Sequence, residues 1–288
     1  MNGKEYVYFP GCSAKGTGKA YEESLLSVFN TLGIKMKEQE DWSCCGATLY
    51  MSVDEQISFA LSCRNMAIAK KSASKMIIPC SACYLVFKKT QDYVEKYAGI
   101  KSKIQGALNE VGLTYNGGIE LKHPLEIILD EYGLKELSSK VKKPLEKFKI
   151  VPYYGCQIVR PYTDFDDPMY PTKMDTLLKA LGAQVVDYPL KTRCCGGSLM
   201  GTIEEIGLRL NYILLKEAVE RGANCIAVLC PLCQFNLECY QEEINNRYNT
   251  KFSIPIVYFT QAMGMALGLS KENLGLQRAI VPIGSLYQ

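Results

Sequence analysis

Lys75-Met76-Ile77-Ile78-Pro79-Cys80-Ser81-Ala82-Cys83 and, 150 residues later, Cys225-Ile226-Ala227-Val228-Leu229-Cys230-Pro231-Leu232-Cys233 say the same thing twice. Each is a short apolar run, strand-like in length, that passes straight into Cys-x-x-Cys. Upstream of each lies an adjacent cysteine pair followed by glycine, Cys44-Cys45-Gly46 and Cys194-Cys195-Gly196, separated from its Cys-x-x-Cys by 34 residues in both copies. Further upstream, Tyr8-Phe9-Pro10-Gly11-Cys12 matches Tyr153-Tyr154-Gly155-Cys156. Ten of thirteen cysteines thus fall into two five-cysteine sets: Cys12, Cys44, Cys45, Cys80, Cys83 and Cys156, Cys194, Cys195, Cys230, Cys233. A repeat of this length means duplicated domains, because solenoid units run to only about 20–50 residues.

Each half reads in one order. A β-rich run (Tyr6–Phe9; Ile150–Tyr154) ends at Gly-Cys. A helix follows (Tyr21–Leu32, stopped by Gly33; Thr172–Leu181, stopped by Gly182), with Pro171 in the first turn of the second. A second strand (Ile34–Lys37; Gln184–Tyr188) leads to the Cys-Cys-Gly turn. A long helix (near Asp54–Lys71; Ile203–Arg221) then precedes the apolar strand (Lys75–Ile78; Ala223–Leu229). Strands alternating with helices predict βαβ units and a parallel sheet. The expected fold is therefore α/β, as two tandem Rossmann-like domains, 1–147 and 148–288, with small parallel sheets flanked by helices and related by a pseudo-twofold. Every cysteine group follows a strand, which puts it at the carboxyl edge of a sheet, where open α/β folds bind ligands. Gln91 to Lys147 reads as the segment that closes the first half, with turns at Gly117-Gly118 and Pro144 and a helix opening at Pro124.

The 288 residues suffice for two cores, and 48% are hydrophobic. A net charge of +3 with interspersed signs gives no broad cationic field, so nucleic acid is not an expected partner. No apolar run approaches the roughly 18 residues of a membrane helix, and the N-terminus lacks the apolar core of a signal peptide. The expected location is cytoplasmic, where clustered cysteines signal metal or redox chemistry rather than disulfides.

Four thiolates satisfy a zinc ion or a cubane cluster. Five in one site carry five negative charges, which several iron ions offset best. Adjacent cysteines reach different irons of a cluster more easily than one zinc. The reading is an iron–sulfur cluster in each set, with zinc in one or both sites, or purely structural thiols, as the alternatives.

The complete double pattern resembles the cysteine-rich CCG domain family, and its arrangement is similar to the B subunit of heterodisulfide reductase. Tyr154-Gly155-Cys156-Gln157 and Lys191-Thr192-Arg193-Cys194-Cys195-Gly196-Gly197 carry the likeness further. The resemblance covers nearly the whole chain. It implies two noncubane 4Fe-4S clusters, one on each five-cysteine set, and reduction of the mixed disulfide of coenzymes M and B or an analogue. Each cluster is expected to pass one electron and take one sulfur of the substrate. It also implies two partners, a ferredoxin-like C subunit and a flavin-bearing A subunit, since the chain shows no flavin, nicotinamide or quinone site. Similar subunits that act on other thiols or sulfur carriers, or that relay electrons without disulfide chemistry, are the competing reading.

Cys45 and Cys195 are the expected catalytic members of their pairs. His123, the only histidine, is either the opening of a helix or a proton donor near the first set. Arg193 and Lys191 flank the second pair as solvated cations or as attractants for an anionic substrate. Trp42 reads as packing, and Thr48 and Ser198 as hydroxyl donors to a cluster sulfur. Cys63 and Cys225 read as small buried apolar residues, and Cys239 as a residue that could border the second set. Ser13 to Ala20 is only superficially a phosphate loop, because Ser13 and Ala20 stand where a Walker A motif needs Gly and Ser or Thr.

Overall fold

The computed structural model describes residues 6–287. Its strands form two four-stranded, all-parallel sheets. The first contains β1 (Tyr6–Tyr8), β2 (Met36–Glu38), β3 (Lys75–Ile77) and β4 (Glu120–Lys122), in the order β2-β1-β3-β4. The second contains β5 (Lys149–Tyr153), β6 (Gln184–Val185), β7 (Cys225–Val228) and β8 (Ile256–Tyr258), in the order β6-β5-β7-β8. The same strand order twice is the structural form of the sequence repeat.

That order positions the cysteines. After β1 the chain leaves toward β2; after β3 it leaves toward β4, on the opposite side. Between β1 and β3 the connections diverge, which opens a crevice at the carboxyl ends of the strands. Cys12 follows β1 and Cys80 follows β3, so both stand at this crevice, and β5 and β7 set Cys156 and Cys230 in the same way. Apart from Lys149 and Lys75 at their starts, the central strands are buried, as parallel strands covered on both faces must be.

The flanking helices obey ordinary local rules. Asp54 caps Glu55–Lys70, its Oδ1 accepting from the N–H of Gln56 at 2.9 Å. Gly33 ends Lys19–Leu32 in the left-handed conformation at φ +73°. Pro171 lies just outside the helix Lys173–Ala180, before its cap Thr172, rather than in its first turn.

Two features depart from the sequence pattern. β6 is only two residues long, because the chain turns away before Pro189 instead of continuing to Tyr188. β4 and β8 lie in segments that the pattern does not mark as strands. Each is three residues long, and β4 buries only Leu121 fully, too little to register as a period.

The compact units also follow a different division from 147/148. One comprises the stretch up to Cys12 together with Ile34–Ile127; the other comprises Ser13–Gly33 together with the stretch from Ile128 onward. The helix Lys19–Leu32 belongs to the second unit for a packing reason. Tyr21 stacks on Tyr258 with ring centroids 4.3 Å apart, and Ser24 hydrogen-bonds Thr260 at 2.7 Å. All five cysteines of each set fall within one unit.

Two candidate five-thiol centres

In the first unit, Cys12 sits in the helical turn Gly11–Ala14 directly after β1. Cys80 caps the helix Ser81–Lys96 and Cys83 lies in its first turn, so the Cys-x-x-Cys spacing turns both thiols to one end. The thiols form a continuous string. Cys44 hydrogen-bonds Cys12 and Cys45, Cys45 Sγ lies 3.0 Å from Cys83 Sγ, and Cys83 also contacts Cys80. The backbone N–H groups of Gly46 and Ala47 donate to Cys44 and Cys45 Sγ, each at 3.4 Å.

The second unit repeats the positions, with its thiols linked in two groups rather than one string. Cys156 hydrogen-bonds Cys194, Cys195 Sγ lies 3.4 Å from Cys233 Sγ, and Cys233 contacts Cys230. Gly196 N–H donates to Cys194 Sγ at 3.3 Å. In each set three thiols are buried (Cys45, Cys80, Cys83; Cys195, Cys230, Cys233), while Cys12 and Cys194 are exposed. Each centre therefore has a dry floor and one open side.

Glycine makes the close approach possible. A Cβ on Gly155 would stand 3.1 Å from Cys233 Sγ, and one on Gly11 3.5 Å from Cys83 Sγ; both glycines have positive φ. Gly46 has φ +85°, and a Cβ there would strike Ser58 Cα at 2.7 Å.

The helices behind the Cys-Cys-Gly turns hold them by buried polar side chains. Ser62 Oγ donates to Cys45 O at 2.8 Å, Ser58 Oγ to Gly46 O at 3.1 Å, and Asn65 Oδ1 accepts from Ser43 N at 2.9 Å. In the second unit Asn211 Nδ2 donates to Cys195 O at 2.9 Å, and Asn236 Nδ2 spans Cys195 O at 3.1 Å and Gly197 O at 3.0 Å. Sequence reasoning misses these residues. Ser58, Ser62 and Asn65 stand at i, i+4 and i+7, on the face the helix buries, and that polar stripe is the available signal.

One thiol in each set is held toward the thiolate while its hydrogen-bonded neighbours are pushed up, Cys44 and Cys83 beside Cys45 and Cys156 beside Cys194. Hydrogen bonds from Cys44 and Cys83 hold Cys45 well below the ordinary thiol range. Cys194 is lowered to about 6 by the hydrogen bond from Cys156, the Gly196 N–H and the nearby Arg160 guanidinium, against the opposing effect of burial. Thiolate is the form that ligates metal. Among the described residues no group of three or more His, Cys, Asp or Glu is arranged to hold a single metal ion. Five thiols gathered in each unit, with N–H donors and a glycine-lined floor, suit a larger sulfur-rich group, so these residues fit an iron–sulfur cluster.

Among the other expected site residues, some keep the role read from the sequence and some do not. His123 is fully buried and caps the helix Pro124–Glu126: its Nδ1 accepts from Leu125 N–H at 3.2 Å, which leaves Nε2–H to donate to Pro79 O at 3.1 Å. Both ring nitrogens hold backbone, so His123 takes the helix-opening role of its two readings and braces the turn before Cys80. Lys191 is neither solvated nor open to an anion. It is buried, with Nζ 2.7 Å from Asp175 and 3.0 Å from Pro171 O, over the Tyr154 ring. Arg193 is exposed, and its backbone carbonyl accepts from Tyr153 OH at 2.6 Å. The cation that acts on Cys194 is Arg160, anchored to Thr192 O and Pro168 O. Trp42 packs edge-on against Phe9. Thr48 and Ser198 are exposed, and the donors on the paired thiols are backbone N–H groups and, on Cys195, the Asn236 amide. Cys63 and Cys225 are fully buried, with burial pushing both thiols up, Cys63 to about 12; Cys239 is half-buried at the far end of the helix Pro231–Cys239.

The profile of the cysteine-rich domain CCG matches residues 6–88 and 150–238. The 8-methylmenaquinol:fumarate reductase membrane anchor subunit of Wolinella succinogenes is 32% identical over 280 residues, covering 96% of this chain and 97% of that one. The B subunit of the ferredoxin:CoB-CoM heterodisulfide reductase of Methanosarcina mazei is 28% identical over 278 residues, covering 95% and 92%. Among solved structures, a hypothetical protein from Helicobacter pylori superposes with a TM-score of 0.80 at 15% identity, spanning 98% of this chain and 53% of that one. Its likeness concerns the fold alone.

Proposed function

Because the chain belongs to the family of CCG cysteine-rich domains, we propose that each five-thiol centre holds a noncubane 4Fe-4S cluster. We further propose that the protein is the catalytic subunit of a heterodisulfide reductase-like oxidoreductase complex. The observation that carries this reading is that both sets are complete, each at one sheet edge, the first as one string of five thiols and the second as Cys156 with Cys194 beside Cys195 with Cys233 and Cys230. When bound, such clusters supply one-electron steps and iron sites for sulfur, and two such steps make the two electrons that a disulfide needs.

The polypeptide's part is to bind, shield and orient. Cys12, Cys44, Cys45, Cys80 and Cys83 hold one cluster, and Cys156, Cys194, Cys195, Cys230 and Cys233 the other. The buried thiols keep water from the inner face, and the exposed Cys12 and Cys194 mark the side from which substrate approaches. Arg160 is the cation placed to favour an anionic substrate at the second centre. The proposed substrate is the coenzyme M–coenzyme B disulfide or an analogue. The proposed partners are a ferredoxin-like iron–sulfur subunit and a flavin-bearing subunit, in the cytoplasm. No helix among the described residues is long and apolar enough to cross a membrane.

A second reading keeps the clusters and drops the disulfide: electron relay within a complex that serves another acceptor. The relative named as a fumarate reductase subunit, at 32% identity over 280 residues, favours it. Anaerobic titration with candidate disulfides, followed in the cluster absorption, separates the two. Stoichiometric oxidation of reduced protein by a disulfide, lost in Cys195→Ala, supports disulfide reduction. Inert clusters, or unchanged turnover in Cys195→Ala, would leave the relay.

A further inference from the structure

Ser81 stands between two members of the first centre, Cys80 and Cys83, at the start of the helix Ser81–Lys96. It is 2% exposed, and its hydroxyl finds no hydrogen-bond partner among the described residues. The carbonyl four residues back, Ile77 O, already accepts from Phe9 N–H at 2.9 Å. A buried hydroxyl in that condition costs free energy unless something else accepts its proton.

The second centre has Pro231 at the matching position. Proline brings neither a hydroxyl nor an N–H. Elsewhere the donors on the paired thiols balance: Gly46 N–H on Cys44 matches Gly196 N–H on Cys194, and Ala47 N–H on Cys45 has a weaker counterpart in Asn236 Nδ2, 3.7 Å from Cys195 Sγ. Position 81/231 is one place where the repeat departs from itself between two cysteines of each set; another departure is the Arg160 guanidinium, which acts on the second set alone.

We propose that the Ser81 hydroxyl donates a hydrogen bond to a sulfur atom of the group in the first centre, and that this makes the two centres electrochemically inequivalent. The inference rests on the cluster reading. A hydrogen bond to sulfur draws off electron density and favours the reduced state, so Ser81 raises the potential of the first centre, and Pro231 withholds that contribution from the second. Two one-electron steps then acquire an order, because one centre fills before the other. Ser81 here is a tuning residue that acts on the bound group, with no bond made or broken.

The test is an anaerobic spectroelectrochemical titration of the loaded full-length chain in wild type, Ser81→Ala and Pro231→Ser, with iron and sulfide assayed on each sample. In Ser81→Ala, one midpoint is expected to fall, changing the oxidised-to-reduced ratio at the wild-type midpoint about tenfold, or 59 mV for a one-electron couple. The other midpoint stays in place. In Pro231→Ser, the other midpoint rises. Should Ser81→Ala lose iron, Pro231→Ser decides alone. Midpoints that stay put at full iron content, or that move together, overturn the proposal. Zinc in place of iron in the wild type sinks the cluster reading itself, which the metal assay separates from failure of the tuning role.

Discussion

Replacing Gly155 by alanine puts the floor of the second centre to the test. The backbone there has φ +73°, a region that costs an L-residue roughly 1–2 kcal/mol. The new Cβ would stand 3.1 Å from Cys233 Sγ, whereas carbon atoms are most comfortable at about 3.5–4.0 Å and sulfur is larger. Cys233 is only 8% exposed and is held in a helix, so it cannot retreat cheaply. Overpacking of this kind adds about 1–3 kcal/mol, for a total near 2–5 kcal/mol. The displaced atom is itself a proposed ligand, so the variant should lose roughly half its iron and sulfide along with stability. Gly11→Ala is the control. Its Cβ would lie 3.5 Å from Cys83 Sγ, so it should bear mainly the backbone cost, about 1–2 kcal/mol, and keep its iron. The assay is iron and sulfide per chain beside the denaturant midpoint. Full iron with a wild-type midpoint in Gly155→Ala, or equal damage in both variants, would refute the close-approach argument.

Three further outcomes follow from buried groups. Asp175→Ala leaves the Lys191 ammonium in the interior without a counter-charge, with Pro171 O and two tyrosine rings, and should cost about 3–5 kcal/mol in urea denaturation; a loss below about 1 kcal/mol would mean the pair is not desolvated. His123→Ala removes a helix cap and the donor to Pro79 O. It should cost about 2–4 kcal/mol while leaving any neutral-range inflection of the turnover pH profile in place, and disappearance of that inflection would restore a proton-transfer role. Burial raises the Glu238 carboxyl above its usual 4.5, so the unfolded chain gives up this proton first. The contribution is fully present below 4.5 and is lost as pH climbs through the raised folded value. The midpoint difference between wild type and Glu238→Gln should accordingly drift in the variant's favour from pH 4.5 upward, and a flat difference would contradict the shift.

Much of this architecture is legible in the sequence. The repeat of apolar strand into Cys-x-x-Cys predicts parallel sheets with cysteines at the carboxyl edge, and β3 and β7 are those strands. The helix ends are equally local, with Asp54 and Gly33 standing where the sequence puts them. What is not legible depends on partners distant in sequence. β4 exists because Met76 and Leu121 pair although they lie 45 positions apart, and three residues carry no periodicity of their own. Lys19–Leu32 packs with the second unit because Tyr21 and Ser24 find Tyr258 and Thr260, a choice invisible in the helix itself. Residue type leaves His123 between a helix opening and a proton donor, and Lys191 between a solvated cation and an attractant for an anion. Their roles are fixed instead by a carbonyl and a carboxylate that only folding brings near. Arg160 escapes notice because it lies 34 positions before Cys194, and the loop that carries it back to Thr192 has no sequence signature.

What the ten thiols hold decides the rest. Protein purified without oxygen and assayed for metal and acid-labile sulfide should contain about eight irons and a matching amount of sulfide per chain. One or two zinc ions with little iron and no sulfide would contradict the two-cluster reading.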